Sequence, residues 1–160
     1  MKYVKAMIGA ALLIILDQVT KYWAASVLKG NKAIEIWNGV FEFQYLENRG
    51  MAFGLMQNQI ILFVIFTVII LGVIFYYYRL VPDTKRMMPL RWAMVVLAAG
   101  AVGNLIDRIV NNYVIDFLYF KFIDFPIFNV ADCYVTISLL TLICLILFYY
   151  KEEELEFHGK

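Results

Sequence analysis

Histidine is almost missing from this chain: His158, in a charged tail, is the only one in 160 residues. Cysteine is nearly as scarce, with Cys133 and Cys144 alone. A transition-metal centre draws on several such ligands, so no metal site is expected. If both cysteines lie on one helix, the chain between them at ~1.5 Å rise per residue sets them about 16 Å apart. A disulfide tolerates roughly 7 Å between Cα atoms, so the two read as small packing residues. Charge is thin as well, at 17% of residues and a net +1, and nothing points to a nucleic-acid partner. Apolar residues take the space: 63% are hydrophobic, and mean hydropathy is +0.74. Ordinary soluble domains are less apolar, and the expectation is a helical membrane protein forming one domain over residues 1–160.

Four hydrophobic segments stand out, at about Val4–Leu28, Ile60–Tyr78, Met88–Val110 and Ala131–Tyr150. The second carries no charge and matches the ~20 residues that a bilayer-spanning helix needs. The first resembles a signal peptide, with Lys2 and Lys5, an apolar run and then Ala24-Ala25-Ser26. Asp17 and Lys21 interrupt that run, and the segment is read as a retained helix. Arg79, Lys85, Arg86 and Arg91 lie between the second and third segments, and Lys2 and Lys5 precede the first. The positive-inside rule then places both termini and this loop in the cytoplasm. Tyr22 and Trp23 fit an aromatic belt at the outer interface.

Two stretches are left outside, about 30–58 and about 111–129. In the first, apolar and polar residues partly alternate from Ile34 to Tyr45 around Asn38-Gly39, a strong short hairpin signal. A β-hairpin is expected there, leaning on the helices or on lipid because two strands alone are marginal. Gly50 and Gly54 could hinge it. The second stretch, rich in Phe, Tyr and Ile, is expected to dip into the interface.

Asp116 and Asp132 lie in that apolar surrounding, on the same side of the membrane. A carboxylate beside lipid is costly and usually faces a protein interior or a wet cavity. Two that face each other share a proton. The charged member can take a proton from water attacking a carbonyl, while the protonated member polarises that carbonyl and later protonates the leaving amine. Asn129, ahead of the fourth segment, is placed to cap its helix with Asp132 in the first turn. Asn104, Asp107 and Arg108 share one face of the third helix as a polar shelf, with Asp107 and Arg108 neutralising each other. Ala99 and Gly103 form a small-xxx-small pair that admits a close neighbour. Asp17 and Lys21, four apart in the favourable acid-first order, are expected to pair in the bundle while Lys21 snorkels outward. Asn48, before Gly50, could hydrogen-bond an extended peptide. Ser26 and Lys29 fit a bare Ser-x-x-Lys spacing, with no oxyanion-hole candidate beside them.

Five motifs in order resemble the bacterial lipoprotein signal peptidase (signal peptidase II) family: Asp17-Gln18-x-Thr20-Lys21, Asn48-x-Gly50-x-Ala52-Phe53, Gly103-Asn104-x-x-Asp107-Arg108, Ile115-Asp116-Phe117 and Phe128-Asn129-x-Ala131-Asp132. The resemblance implies four transmembrane helices with a small extracytoplasmic β cradle, and a cofactor-independent aspartyl endopeptidase in the bacterial inner membrane. Its substrate would be a prolipoprotein whose signal peptide is cut just before a diacylglyceryl-bearing cysteine, near the outer face, among membrane lipids. A monomer would suffice, since both acids come from one chain. By the same carry-over Asp116 and Asp132 are the catalytic pair, and Asn48, Asn104, Arg108 and Asn129 line the site. Asp17, Lys21 and Asp107 are structural polar residues. Ile115 stands where that family often has Val, and Met51 where a small residue is common.

Two other classes compete. A small transporter or proton channel would need ionisable groups along a path through the bilayer, yet the second segment has none. A presenilin-like protease would carry Gly-x-Gly-Asp, and Gly103 and Asp107 are spaced wrongly for it.

Overall fold

The computed structural model describes residues 2–50 and 59–157. Among these described residues four helices are long and apolar enough to cross a membrane: α1 (Lys2–Val27), α2 (Ile60–Leu80), α3 (Met88–Asn111) and α4 (Val130–Cys144), the last running on through a π-helical turn to Tyr149. Their ends fall within a few residues of those read from hydropathy. A short helix, α5 (Glu152–Leu155), follows α4.

α3 is the hub. It packs on α1, α2 and α4, and a far larger part of its length is shielded than in any other spanning helix. Its sequence explains this, because small residues dominate the stretch from Ala98 to Gly103. A Cβ on Gly100 would sit 2.6 Å from the carbonyl oxygen of Ala131, and one on Gly103 would sit 2.5 Å from Asp17 Oδ2. Only glycine lets α1 and α4 approach this near. The expected close neighbour of Ala99 and Gly103 is therefore present on two sides, and Gly100 belongs to the same surface.

Three antiparallel strands cap one end of the bundle, in the order β1 (Ile34–Trp37), β2 (Phe41–Asn48), β3 (Val114–Phe120). The β1–β2 hairpin turns at Asn38-Gly39, where Gly39 adopts φ +70°, a left-handed conformation that costs glycine little. The second outer stretch does more than dip into the interface. Its residues 114–120 form the third strand, which supplies the support that two strands lack. No alternation announces it, since the run from Val114 to Phe117 is buried on both faces. Ala24 of α1 and Leu28, just past its end, pack with Ile115 and Phe117 beneath the sheet. Trp23 meets Phe43 edge-on at 5.2 Å between centroids, so it anchors the sheet, while Tyr22 stays exposed. Ile115 is accommodated in this core.

At the other end, Lys2 Nζ donates to the carbonyl of Val81 (2.7 Å), and Arg86 holds Glu154 through Nε (2.9 Å). Both ends of the described chain thus meet the α2–α3 connection. Met51, Ala52, Phe53, Gly54 and His158 lie outside the described residues, so the end of the 30–58 region and one hinge fall there too.

Candidate active site

Where β2, β3, the start of α4 and the C-terminal halves of α1 and α3 converge, five elements deliver polar side chains into an apolar surrounding. Asp116 is held by β3. β2 pairs Asn48 with Val114, which makes Asn48 the diagonal neighbour of Asp116 on the sheet. Asn48 Nδ2 donates to Asp116 Oδ2 at 2.9 Å, and Asn129 Nδ2 donates to Asp116 Oδ1 at 2.6 Å. Asp132 sits in the first turn of α4, in a complete capping box: its backbone N–H donates to Asn129 Oδ1 (3.0 Å), and its Oδ2 accepts from the Asn129 backbone N–H (3.2 Å). Asn104 Nδ2 donates to Asp132 Oδ1 at 2.7 Å. Asn129, with no exposed surface, therefore ties both carboxylates together.

Burial, and after it the charge of Asp132, pushes Asp116 up to about 7 despite the amides of Asn48 and Asn129. Asp116 is thus the member suited to carry a proton near neutrality. Asp132 meets the positive end of α4 and an Asn104 amide whose own oxygen accepts from Lys21 Nζ at 2.9 Å.

Beneath the two carboxylates lies a buried ion cluster. Lys21 Nζ is 3.0 Å from Asp17 Oδ2 and 3.1 Å from Asp107 Oδ2, and all three side chains are at most 2% exposed. Two expectations are corrected here. Lys21 does not snorkel outward, because its ammonium is neutralised by two carboxylates inside the bundle, and leaving would strand both. Asp107 is not paired with Arg108; it is committed to Lys21, while Arg108 Nη1 donates to the carbonyl of Asn104 (3.3 Å) and its guanidinium lies 5.2 Å from the Phe63 ring centre. Neighbouring helix positions point about 100° apart, which puts Asp107 on the α1 side and Arg108 on the cavity side.

The cluster also grips backbone. Asp17 Oδ1 accepts from Ala131 N–H (2.9 Å), and Asp107 Oδ2 accepts from Ile115 N–H (3.0 Å). Those are the residues directly before Asp132 and Asp116. Gln18 closes the cluster, with Nε2 donating to Asp17 Oδ2 (3.1 Å), Asp107 Oδ1 (3.2 Å) and the carbonyl of Gly103 (3.2 Å). Gln18 carries no separate cue in the sequence beyond its place beside Asp17.

Asp116, Asp132, Asn48 and Arg108 all line one cavity of about 490 Å³, walled further by Phe125–Phe128 and by Thr136 and Ile137 of α4. Thr136 follows Asp132 by one helical turn, a spacing that could have marked it. Gly50 lines the cavity too, and its N–H donates to Asn48 Oδ1 (3.0 Å). Ser26 and Lys29 are elsewhere engaged: Ser26 bonds back to the Tyr22 carbonyl, and Lys29 pairs with Glu47 at 2.8 Å.

Residues 9–148 match the family model for signal peptidase (SPase) II. The chain belongs to the signal peptidase II family. It is 39% identical over 158 residues to a lipoprotein signal peptidase of Streptococcus thermophilus (strain CNRZ 1066), covering 99% of this chain and all of that one. It is 39% identical over 144 residues to the lipoprotein signal peptidase of Streptococcus pyogenes serotype M1, covering 89% and 91%. Two solved structures described as bacterial membrane enzymes superpose with TM-scores of 0.81 and 0.79. Their identities are 33% and 32%, over 92% of both chains in the first case and over 91% and 94% in the second. As a signal peptidase II the protein is a multi-pass membrane aspartic endopeptidase that processes lipoproteins, and the competing channel and presenilin-like readings fall away.

Proposed function

We propose that Asp116 and Asp132 are the catalytic pair, and that they cleave a prolipoprotein signal peptide immediately before its diacylglyceryl-cysteine. The observation that carries this is the bridge made by Asn129, which donates its side-chain amide to one carboxylate and its backbone N–H to the other, both carboxylates lining a cavity large enough for a peptide. Asp132, charged, takes a proton from the attacking water as oxygen bonds to the scissile carbonyl carbon. Asp116, protonated, donates a hydrogen bond to the carbonyl oxygen that gains charge. On collapse the C–N bond breaks and a carboxyl proton passes to the leaving nitrogen. No covalent intermediate forms, and no cofactor is required. Asn48, Asn104 and Asn129 hold the pair, and Arg108 offers donors to substrate within the same cavity.

The whole of 1–160 is read as one membrane unit, working as a monomer because both acids come from one chain. The end bearing the sheet and Asp116 is placed at the outer face of the bacterial inner membrane, and both termini in the cytoplasm, because the basic α2–α3 connection marks the opposite end. Purified Asp116→Asn and Asp132→Asn variants, given a diacylglyceryl-modified precursor in detergent, are expected to lose at least about a thousandfold in cleavage while keeping their fold. Wild-type protein is expected to leave the unlipidated precursor uncut. Retained cleavage in either variant overturns the assignment.

A further inference from the structure

At the end of the bundle remote from the sheet, two adjoining cavities combine a hydrocarbon groove with a cationic mouth. The groove, about 310 Å³, is walled by Met7 and Ala10 of α1, Leu71 and Ile74 of α2, and Met94 and Ala98 of α3. The second cavity, about 200 Å³, shares the walls Ala6, Tyr78 and Val95 with it. Lys2, Lys5, Lys85 and Arg91 line that second cavity, against Asp83.

These cations are not equivalent. Lys2 is spent on the end of α2, donating to the carbonyls of Val81 (2.7 Å) and Arg79 (3.3 Å). Arg91 donates to the Tyr78 hydroxyl (2.9 Å) and pairs with Asp83, which removes the acid's charge from the cleft. Lys5 and Lys85 are exposed and form no ion pair among the described residues. The mouth therefore keeps an excess of positive charge directly beside an apolar groove.

We propose that this is a binding site for one anionic phospholipid, with an acyl chain in the groove and the phosphate headgroup at Lys5 and Lys85. In a bilayer a hydrocarbon groove of this kind fills with acyl chain whatever the lipid, so the mouth supplies the selectivity. Basic pockets between spanning helices favour acidic headgroups. Trp92 and Tyr3, both part-exposed, border the two cavities at the depth where amphipathic rings settle. A free phosphate would use the mouth and leave the groove idle. The site is far from Asp116 and Asp132 and does not depend on their role.

The test is native mass spectrometry of the full chain in neutral detergent, titrated with phosphatidylglycerol or with phosphatidylcholine of the same acyl chains. One phosphatidylglycerol is expected to be retained about tenfold more tightly than phosphatidylcholine. The Lys5→Gln/Lys85→Gln double variant, altered only at exposed positions, is expected to lose that preference. Ala10→Phe, which fills the groove, is expected to weaken both lipids. Equal retention of the two lipids by the wild type, or an undiminished preference in the double variant, overturns the proposal. Displacement of phosphatidylglycerol by millimolar inorganic phosphate would overturn it too, by showing a bare anion site.

Discussion

Asp116 would titrate near 3.8 in an unfolded chain and is pushed up to about 7 in the fold, first by burial and then by its neighbour's charge. Between those values the folded protein binds a proton that the unfolded chain has released, so stability falls as pH rises through that window. The upper limit is about 4 kcal/mol at 1.36 kcal/mol for each pKa unit. The melting temperature in detergent is expected to fall from about pH 5 to about pH 8, with the slope much reduced in Asp116→Asn. Cleavage should decline as pH climbs past about 7, because the proposed acid is then ionised. Asn129 does two jobs that one substitution separates. Asn129→Ser keeps a good helix cap, so the melting temperature should shift little. The amide donor to Asp116 is lost, and cleavage should drop by at least about tenfold. Equal losses of stability and activity would show that capping is its whole role.

At the scale of elements, the site depends on how near α1 and α4 come to α3. A methyl on Gly103 would press on Asp17 Oδ2 (2.5 Å) and Ala131 Cβ (3.2 Å), the one a member of the ion cluster and the other next to Asp132. Gly103→Ala is expected to destabilise by about 1–3 kcal/mol and to reduce cleavage as well. Gly72 in α2 has open space where its Cβ would go, so Gly72→Ala should be neutral or slightly stabilising. Thermal unfolding of the two variants side by side checks the contrast. The strands follow a similar logic, since β2 can hold Asn48 against Asp116 only once β3 has paired with it.

Across the whole molecule, a buried cluster of Asp17, Lys21 and Asp107 joins the bundle to both strand and helix of the site. Buried ion pairs seldom add much net stability, but losing one partner leaves an uncompensated charge. This cluster spends its spare oxygens on the backbone of Ile115 and Ala131, so the same charges that hold the helices also set the two aspartates. The proposed orientation is checked with a membrane-impermeant maleimide on Cys133→Ser/Cys144→Ser protein in intact cells. Lys32→Cys, at the sheet end, is expected to label from outside, and Lys85→Cys only after the membrane is opened. The reverse pattern would invert the assignment.

Hydropathy alone determined the four helices, because a segment that must bury its backbone in lipid has to be long, apolar and helical. Local chemistry likewise determined the Asn38-Gly39 turn and the Asn129 cap, each settled by neighbours within a few residues. Asp116 and Asp132 could be singled out because a carboxylate in apolar surroundings is conspicuous in any sequence. Tertiary structure alone decided what those groups meet. The third strand pairs with a partner some seventy residues away in the chain, Lys21 turns inward to Asp107, and Arg108 turns away from it. Such choices rest on long-range approach between helices, which no local pattern records, and it is that approach which brings the two carboxylates to one asparagine.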